Sequence, residues 1–319
     1  MGAGWVAGVT RARALRTRCL GVEGTGQVAA SHGLDDALRY LAATPYRHDV
    51  TLGATPAEAQ RAVSVTLLWH LRVLAGWQPA TGTDAVRALA AGFEISNAEH
   101  HLSRLTADSR RPGEERPYRP PYRLGALAIA WTRLARTRSP SELRTALAAS
   151  AWGDPGGDSP AAIATGMRVS AAVRLATVMP DTARWATARL ALLFGREVFV
   201  VGRRMPDVSA HRAARLLGPR AVGAGSYADF REALPATAHW LLENIDEAAD
   251  LWRAEARWWR AVERDGCELL RRPRFGPEPV VGTAVVLSAD AWRTRGALEL
   301  AARGGGAGDW PAEVLDDPG

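Results

Sequence analysis

Thr55-Pro56-Ala57-Glu58 and Ser139-Pro140-Ser141-Glu142 spell the same helix start twice, and they constrain the fold more than any other feature of the chain. In each, a hydroxyl at the N-cap can accept a backbone N–H of the first turn, and proline supplies the φ of the first helical position. A glutamate three residues after the cap reaches back to close a capping box. Beyond the first start, Val63, Leu67, Leu71 and Leu74 recur every three or four residues until Gly76. This spacing predicts one apolar face on a helix of about six turns.

A longer helix is expected from Ala236 to Arg272, where neither proline nor glycine intervenes before Gly266. Ile245, Trp252 and Trp259 follow at intervals of seven, with Leu241, Ala248, Val262 and Leu269 on the complementary heptad positions. That is a coiled-coil-like seam, interrupted by Glu255, and as one helix it would extend roughly 55 Å. Strand signals are sparse. Val198–Val201 and Val280–Val286 have the β-branched content of strands, but each is isolated among helical patterns and no alternation supports a sheet. The expected class is all-α.

Three segments share one spacing: Asp36 with Leu41-Ala42-Ala43-Thr44, Glu142 with Leu147-Ala148-Ala149-Ser150, and Asp229 with Leu234-Pro235-Ala236-Thr237. Further along each copy stand Phe93-Glu94-Ile95-Ser96-Asn97, Trp185-Ala186-Thr187 and Trp292-Arg293-Thr294. The repeat predicts three helical lobes, over residues 1–118, 119–205 and 206–319. The joins agree with that division. Ser109–Pro121 is charged and proline-rich, Gly202–Asp207 is rich in turn formers, and Gly304–Gly308 has the composition of a hinge, with a last short helix expected over Trp310–Leu315.

With 47% hydrophobic side chains over 319 residues the chain can bury a sizeable core, yet no apolar run approaches the roughly 18 residues of a membrane span. Leu124–Trp131 and Val280–Leu287 read instead as buried pieces. Arg11, Arg13, Arg16 and Arg18 interrupt what would be the apolar segment of a signal peptide, so a cytoplasmic location is expected. All 40 basic side chains are arginine, and against 34 acids they leave a formal charge of +6. An acidic protein surface or nucleic acid fits as a partner. The densest basic group, Arg271-Arg272-Pro273-Arg274, sits where cations complement a helix C-terminus.

No catalytic constellation is legible. The glycine run from Gly304 lacks the Lys-Ser/Thr pair of a phosphate-binding loop, and Gly21–Gly26 follows a helix rather than a strand. Glu99-His100-His101 carries ligand-type side chains, but adjacent histidines project to different sides of a helix. His70 and His239 read as packed side chains. Cys19 and Cys267 are not in a CxxC pair and read as small core residues. The twelve Trp, including Trp258-Trp259, read mainly as core aromatics. No catalytic residue, cofactor or metal site is expected.

A family resemblance runs in order along nearly the whole chain, from Trp5 to about Leu315. Thr10-Arg11-Ala12-Arg13-Ala14-Leu15-Arg16-Thr17-Arg18-Cys19-Leu20 resembles the opening helix of the C subunit of A-type ATP synthases, the central-stalk socket that V-type ATPases letter d. Leu41-Ala42-Ala43-Thr44-Pro45-Tyr46 is similar to that family's Leu-x-x-Thr-x-Tyr, and Phe93-Glu94-Ile95-Ser96-Asn97 to its aromatic-acid-aliphatic-x-Asn segment. Tyr122-Arg123-Leu124-Gly125 resembles the opening of the second lobe, and Phe275–Gly282 the approach to the final helix. The chain departs from the family where an acid and Asn are usual near the start of the last long helix, with Gly-Lys after it. Ala291-Trp292-Arg293-Thr294-Arg295 and Arg303-Gly304-Gly305 stand there instead.

The resemblance implies a funnel of three helical lobes in pseudo-threefold arrangement. It would sit on the cytoplasmic face of a membrane rotor ring, receive the central shaft and transmit torque without chemistry of its own. Arg11, Arg13, Arg16 and Arg18 are the candidate contacts to acidic neighbours. The alternatives are an Arg-rich helical nucleic-acid-binding or scaffold protein, and a helical enzyme whose site assembles from distant residues such as His100 or His239.

Overall fold

In a computed structural model, residues 3–106 and 119–304 are described. The predicted final helix at 310–315, nearly all of the Gly304–Gly308 hinge and most of the Ser109–Pro121 join lie outside them. The described residues are helical and contain no strand. The first six helices are α1 (Ala3–Leu15), α2 (Gly21–Ala29), α3 (Leu34–Leu41), α4 (Pro56–Gly76), α5 (Ala80–Leu89) and α6 (Ala91–Leu105). Next come α7 (Trp131–Leu134), α8 (Pro140–Ala148), α9 (Pro160–Val178), α10 (Ala183–Gly195) and α11 (Asp207–Leu217). The last five are α12 (Pro219–Val222), α13 (Tyr227–Ala233), α14 (Ala236–His239), α15 (Leu251–Arg271) and α16 (Pro277–Ala302).

The chain forms two compact units, residues 1–86 with 259–319, and residues 87–258. These boundaries fall inside α5 and α15 and do not coincide with the expected divisions at 118/119 and 205/206.

In the first unit α16 is the central element, packed by α1, α2, α3 and α4. Val280–Leu287 is buried throughout, as its apolar run predicts, because a helix enclosed by neighbours has no polar face to present. Further along α16, Ala291 and Leu298 share one core with Leu38, Leu41 and Val63. Gly266 does not end α15. A Cβ there would lie 2.5 Å from Val285 Cγ2, and one on Gly282 would lie 2.5 Å from the Gly266 carbonyl oxygen. The two glycines let the backbones of α15 and α16 touch.

In the second unit α9 packs against α6, α10 and α11. Its 19 residues are long and apolar enough to cross a membrane, by length and composition only. Ile163 and Met167 join Leu102, Leu134, Leu143 and Leu147 in one core. After α10 the helix widens into a π-turn at Arg196–Val200, so Val198–Val201 is helix and bend, not strand.

Both helix-start signals are realised. Thr55 accepts the Glu58 N–H and the Glu58 carboxylate accepts the Thr55 N–H, the two arms of a capping box, and α4 runs to Gly76. Ser139 accepts the Glu142 N–H in the same way, but the Glu142 carboxylate takes the N–H of Arg138 instead.

The continuous helix expected over 236–272 does not form. After α14 the chain turns through Asn244 at φ 58°, resuming in a single 3-10 turn at Ala248–Asp250 and then α15. Asparagine tolerates that left-handed conformation, and Arg257 Nη1 donates to the carbonyls of Trp240, Leu241 and Glu243 at 3.3, 3.1 and 2.6 Å. Carbonyls freed by the break thus gain a charged donor. The heptad seam is lost with it: Ile245 is buried outside any helix, Trp252 is 41% exposed, and Trp259 stacks on Trp292.

Candidate functional site

Each unit contains a buried carboxylate that is wired in the same way. In the second, Glu94 Oε2 accepts the Ile129 N–H at 2.5 Å, and Oε1 accepts the Ala130 N–H at 2.7 Å and the Trp152 indole N–H at 2.8 Å. Ile129 and Ala130 lead directly into α7, so the carboxylate supplies acceptors and negative charge at a helix start. Trp152 is aimed by a short turn after α8, in which the Ser150 hydroxyl donates to the Leu147 carbonyl and accepts the Trp152 N–H. One turn along α6, Asn97 clamps the backbone of Tyr122, donating to its carbonyl at 3.0 Å and accepting its N–H at 2.7 Å.

In the first unit Asp290 of α16 does the same work. Its oxygens accept the Leu20 N–H at 3.0 Å, the Gly21 N–H at 2.8 Å and the Tyr46 hydroxyl at 2.8 Å. Leu20 and Gly21 lead into α2. The Thr44 hydroxyl donates to the Leu41 carbonyl and accepts the Tyr46 N–H, aiming the ring as Ser150 aims Trp152. Burial, and then the Asp290 charge, push the Tyr46 hydroxyl well above its ordinary pKa, so it remains a donor.

The wiring corrects the register of the repeat. Asp290, two residues before Trp292, takes the place of Glu94, and counting on from it sets Arg293 against Asn97. Arg293 forms a buried ion pair with Glu263, its Nη2 donating to Oε1 at 2.6 Å while Nη1 donates to Oε2. The remaining pair of repeat elements, Leu234–Thr237 and Trp185–Thr187, keeps less. Trp240 donates its indole N–H to the Thr237 carbonyl. Ala186 stands where the acid would be, and Arg189, with Arg196, holds Glu255 at 2.9 and 2.6 Å. Sequence reading missed Asp290. The signal was present, since it is the one acid between Glu278 and Glu299 in a helix otherwise apolar at those positions apart from Arg293, Arg295 and small polar residues.

These carboxylates are engaged by fixed donors, which makes them fold-holding groups. Cys19 lies beside Asp290 and Glu263; burial first, then those charges, raise its thiol far above the ordinary value, and burial with Glu263 also raises Cys267. Neither thiol supplies a ready thiolate.

The other sequence candidates scatter. Glu99 pairs with Arg168, while His101 Nε2 lies 3.0 Å from the Thr137 hydroxyl and 3.1 Å from its carbonyl. His239 is exposed, lining a surface cleft of about 530 Å³ with Arg231, Glu232 and Asn244. Among the described residues no group of three or more metal-ligating side chains converges. The tryptophans divide: Trp152 and Trp185 are buried, whereas Trp69 and Trp77 are half-exposed.

The four N-terminal arginines are all exposed, and none forms an ion pair among the described residues. They split into two pairs. Arg13 donates to the Arg272 carbonyl at 3.1 Å and lies over the Phe275 ring, and the Arg16 charge acts on Cys267, so both lie toward the end of α15. The charges of Arg11 and Arg18 act on His70 of α4.

No protein-family model matches the chain, and no curated protein matches it.

Proposed function

We propose that this chain is a non-catalytic central-stalk subunit of an A/V-type rotary ATPase, coupling a membrane rotor ring to a central shaft. The observation that carries the reading concerns the two motifs read as family-like. Leu-x-x-Thr-x-Tyr supplies Tyr46 to the Asp290 hub, and aromatic-acid-aliphatic-x-Asn supplies both Glu94 and Asn97. Both therefore act at the points that fix helix starts, which is the placement expected of a scaffold signature. Saturated buried carboxylates and close helix crossings also suit a body that carries torque without deforming.

In this reading the protein sits peripherally on the cytoplasmic side of the membrane as a three-lobed funnel, binds no cofactor, and serves proton or sodium transport. Arg11, Arg13, Arg16 and Arg18 are its candidate contacts to acidic neighbours. The deciding experiment is co-purification of the tagged chain from cells expressing the whole complex. Recovery of ring and shaft proteins is expected, and their absence overturns the proposal. Salt-sensitive retention on DNA without ring or shaft would favour the nucleic-acid alternative instead. Within the favoured reading, charge reversal at Arg11, Arg13, Arg16 and Arg18 lowers that recovery, and unchanged recovery removes those four residues from the interface.

A further inference from the structure

Val65, Trp69, Val73 and Trp77 follow one another at intervals of four along the solvent side of α4 and its C-cap. Trp69 is 50% exposed and Trp77 53%, and Val65 and Val73 are half-buried. Tryptophan is ordinarily well buried, and a contiguous apolar row at the surface marks a binding face. Arg61 and Arg72, three helical turns apart, lie along one flank of the row. Arg72 is exposed and forms no ion pair among the described residues. The chain has no acid between Glu58 and Asp84, so α4 beyond its first turn brings no negative charge to this face.

The end of α16 lies against the start of α4. Gln60 Nε2 donates to Glu299 Oε2 at 2.8 Å, and Leu298 and Ala301 share a core with Ala59 and Val63. Gly304, at φ 105°, turns the chain out of the helix. Residues 305–319 then bring Asp309, Glu313, Asp316 and Asp317, with no basic side chain, among Trp310, Val314 and Leu315. At helical spacing Trp310 and Val314 share one face and all four acids fall along one flank of it, the complement of the α4 layout. Extended, residues 305–319 span about 50 Å. Gln60 and Trp77 are about 25 Å apart along the helix axis, and the surplus is enough to pass round a helix about 10 Å across.

We infer that residues 309–317 dock on this face of α4 within the same molecule, an acidic and apolar cover over a basic and aromatic strip. Trp310 and Val314 lie against Trp69 and Val73, and the acids lie along the flank of Arg61 and Arg72. Tethering favours this occupant over a separate one. The glycine-rich join at 304–308 holds the segment at an effective concentration in the millimolar range, so a contact too weak to form between separate molecules forms within one. The inference rests on this chain alone and not on the rotary reading, so either can fail without the other.

The test places a photo-crosslinking benzophenone side chain at Ala312 of the full chain and maps the crosslinked peptides by mass spectrometry. Crosslinks to residues 61–77 are expected. Arg72→Glu should lower their yield about fivefold, and Trp69→Ala about tenfold. Both substitutions alter exposed side chains, so circular dichroism should be unchanged. Crosslinks confined to other surfaces, or a yield that neither substitution moves, overturn the inference. Mixing ordinary with isotopically heavy chains identifies the donor of the segment: crosslinks within one chain support the inference, and crosslinks that join heavy to light assign the face to a second copy and overturn it. Sedimentation with phosphatidylserine vesicles that Trp69→Ala abolishes, without crosslinks to α4, assigns the face to a lipid surface and likewise overturns it.

Discussion

At the scale of single residues, Glu94 and Asp290 hold more backbone than their size suggests. Glu94→Ala would leave two N–H groups and the Trp152 indole without their acceptor. The expected loss is roughly 2–4 kcal/mol in urea unfolding, with Ser96→Ala on the same helix nearly neutral as the control. His70 gives a pH signature of opposite origin. Burial, then Arg18 and Arg11, lower its folded pKa to about 4 from 6.5. The unfolded chain therefore takes up a proton between those values while the folded one does not. Its stabilising contribution is complete above pH 6.5 and is lost as pH falls toward 4. His70→Gln should flatten the fall in stability across that window by up to about 3 kcal/mol. An unchanged slope would assign the fall to other groups.

At the scale of helices, the sequence was most legible where the information is local. Thr55 and Glu58 fix the start of α4 within four residues, and Thr55→Ala should lower stability by about 1 kcal/mol, read from a thermal melt. The apolar run of α16 likewise announces burial. The break between α14 and α15 was not legible, because what holds it comes from elsewhere: Arg257 reaches back 14 to 17 residues to freed carbonyls. Heptad spacing of Ile245, Trp252 and Trp259 survives a broken helix, so periodicity alone misread it. Within the candidate site, Glu94, Asn97 and Tyr46 were identified as motif residues, but their roles and the part of Asp290 depend on contacts up to 270 residues apart. Gly266 was legible only as a weak point, whereas its use is the α15–α16 crossing. Gly282→Ala would drive a methyl group into a backbone oxygen. A loss of about 2 kcal/mol or more is expected by chemical denaturation, and a neutral result would mean that the two backbones can move apart.

At the scale of the molecule, the two units differ in how the chain builds them. The second is drawn from one continuous stretch, the first from both ends of the chain. A segment of residues 80–271, which keeps α5 and α15 whole, should show native-like helical circular dichroism and a cooperative melt by itself. A segment of residues 1–86 alone should not, because α16 supplies the centre of its core. Mixing that segment with residues 259–304 tests the point directly, since recovered helicity is expected only when both are present.

The position of Asp290 has a consequence for the order of events during synthesis. Its carboxylate accepts the Leu20 and Gly21 N–H groups, yet those residues leave the ribosome some 270 residues earlier. At about 5–20 residues per second the early helices wait roughly 14–54 seconds for the side chain that fixes them. The second unit has its whole sequence in hand during that delay. The nascent first unit therefore presents Leu38, Leu41 and Val63 uncovered for much of translation, and it is the part of this protein with the greatest need of a chaperone.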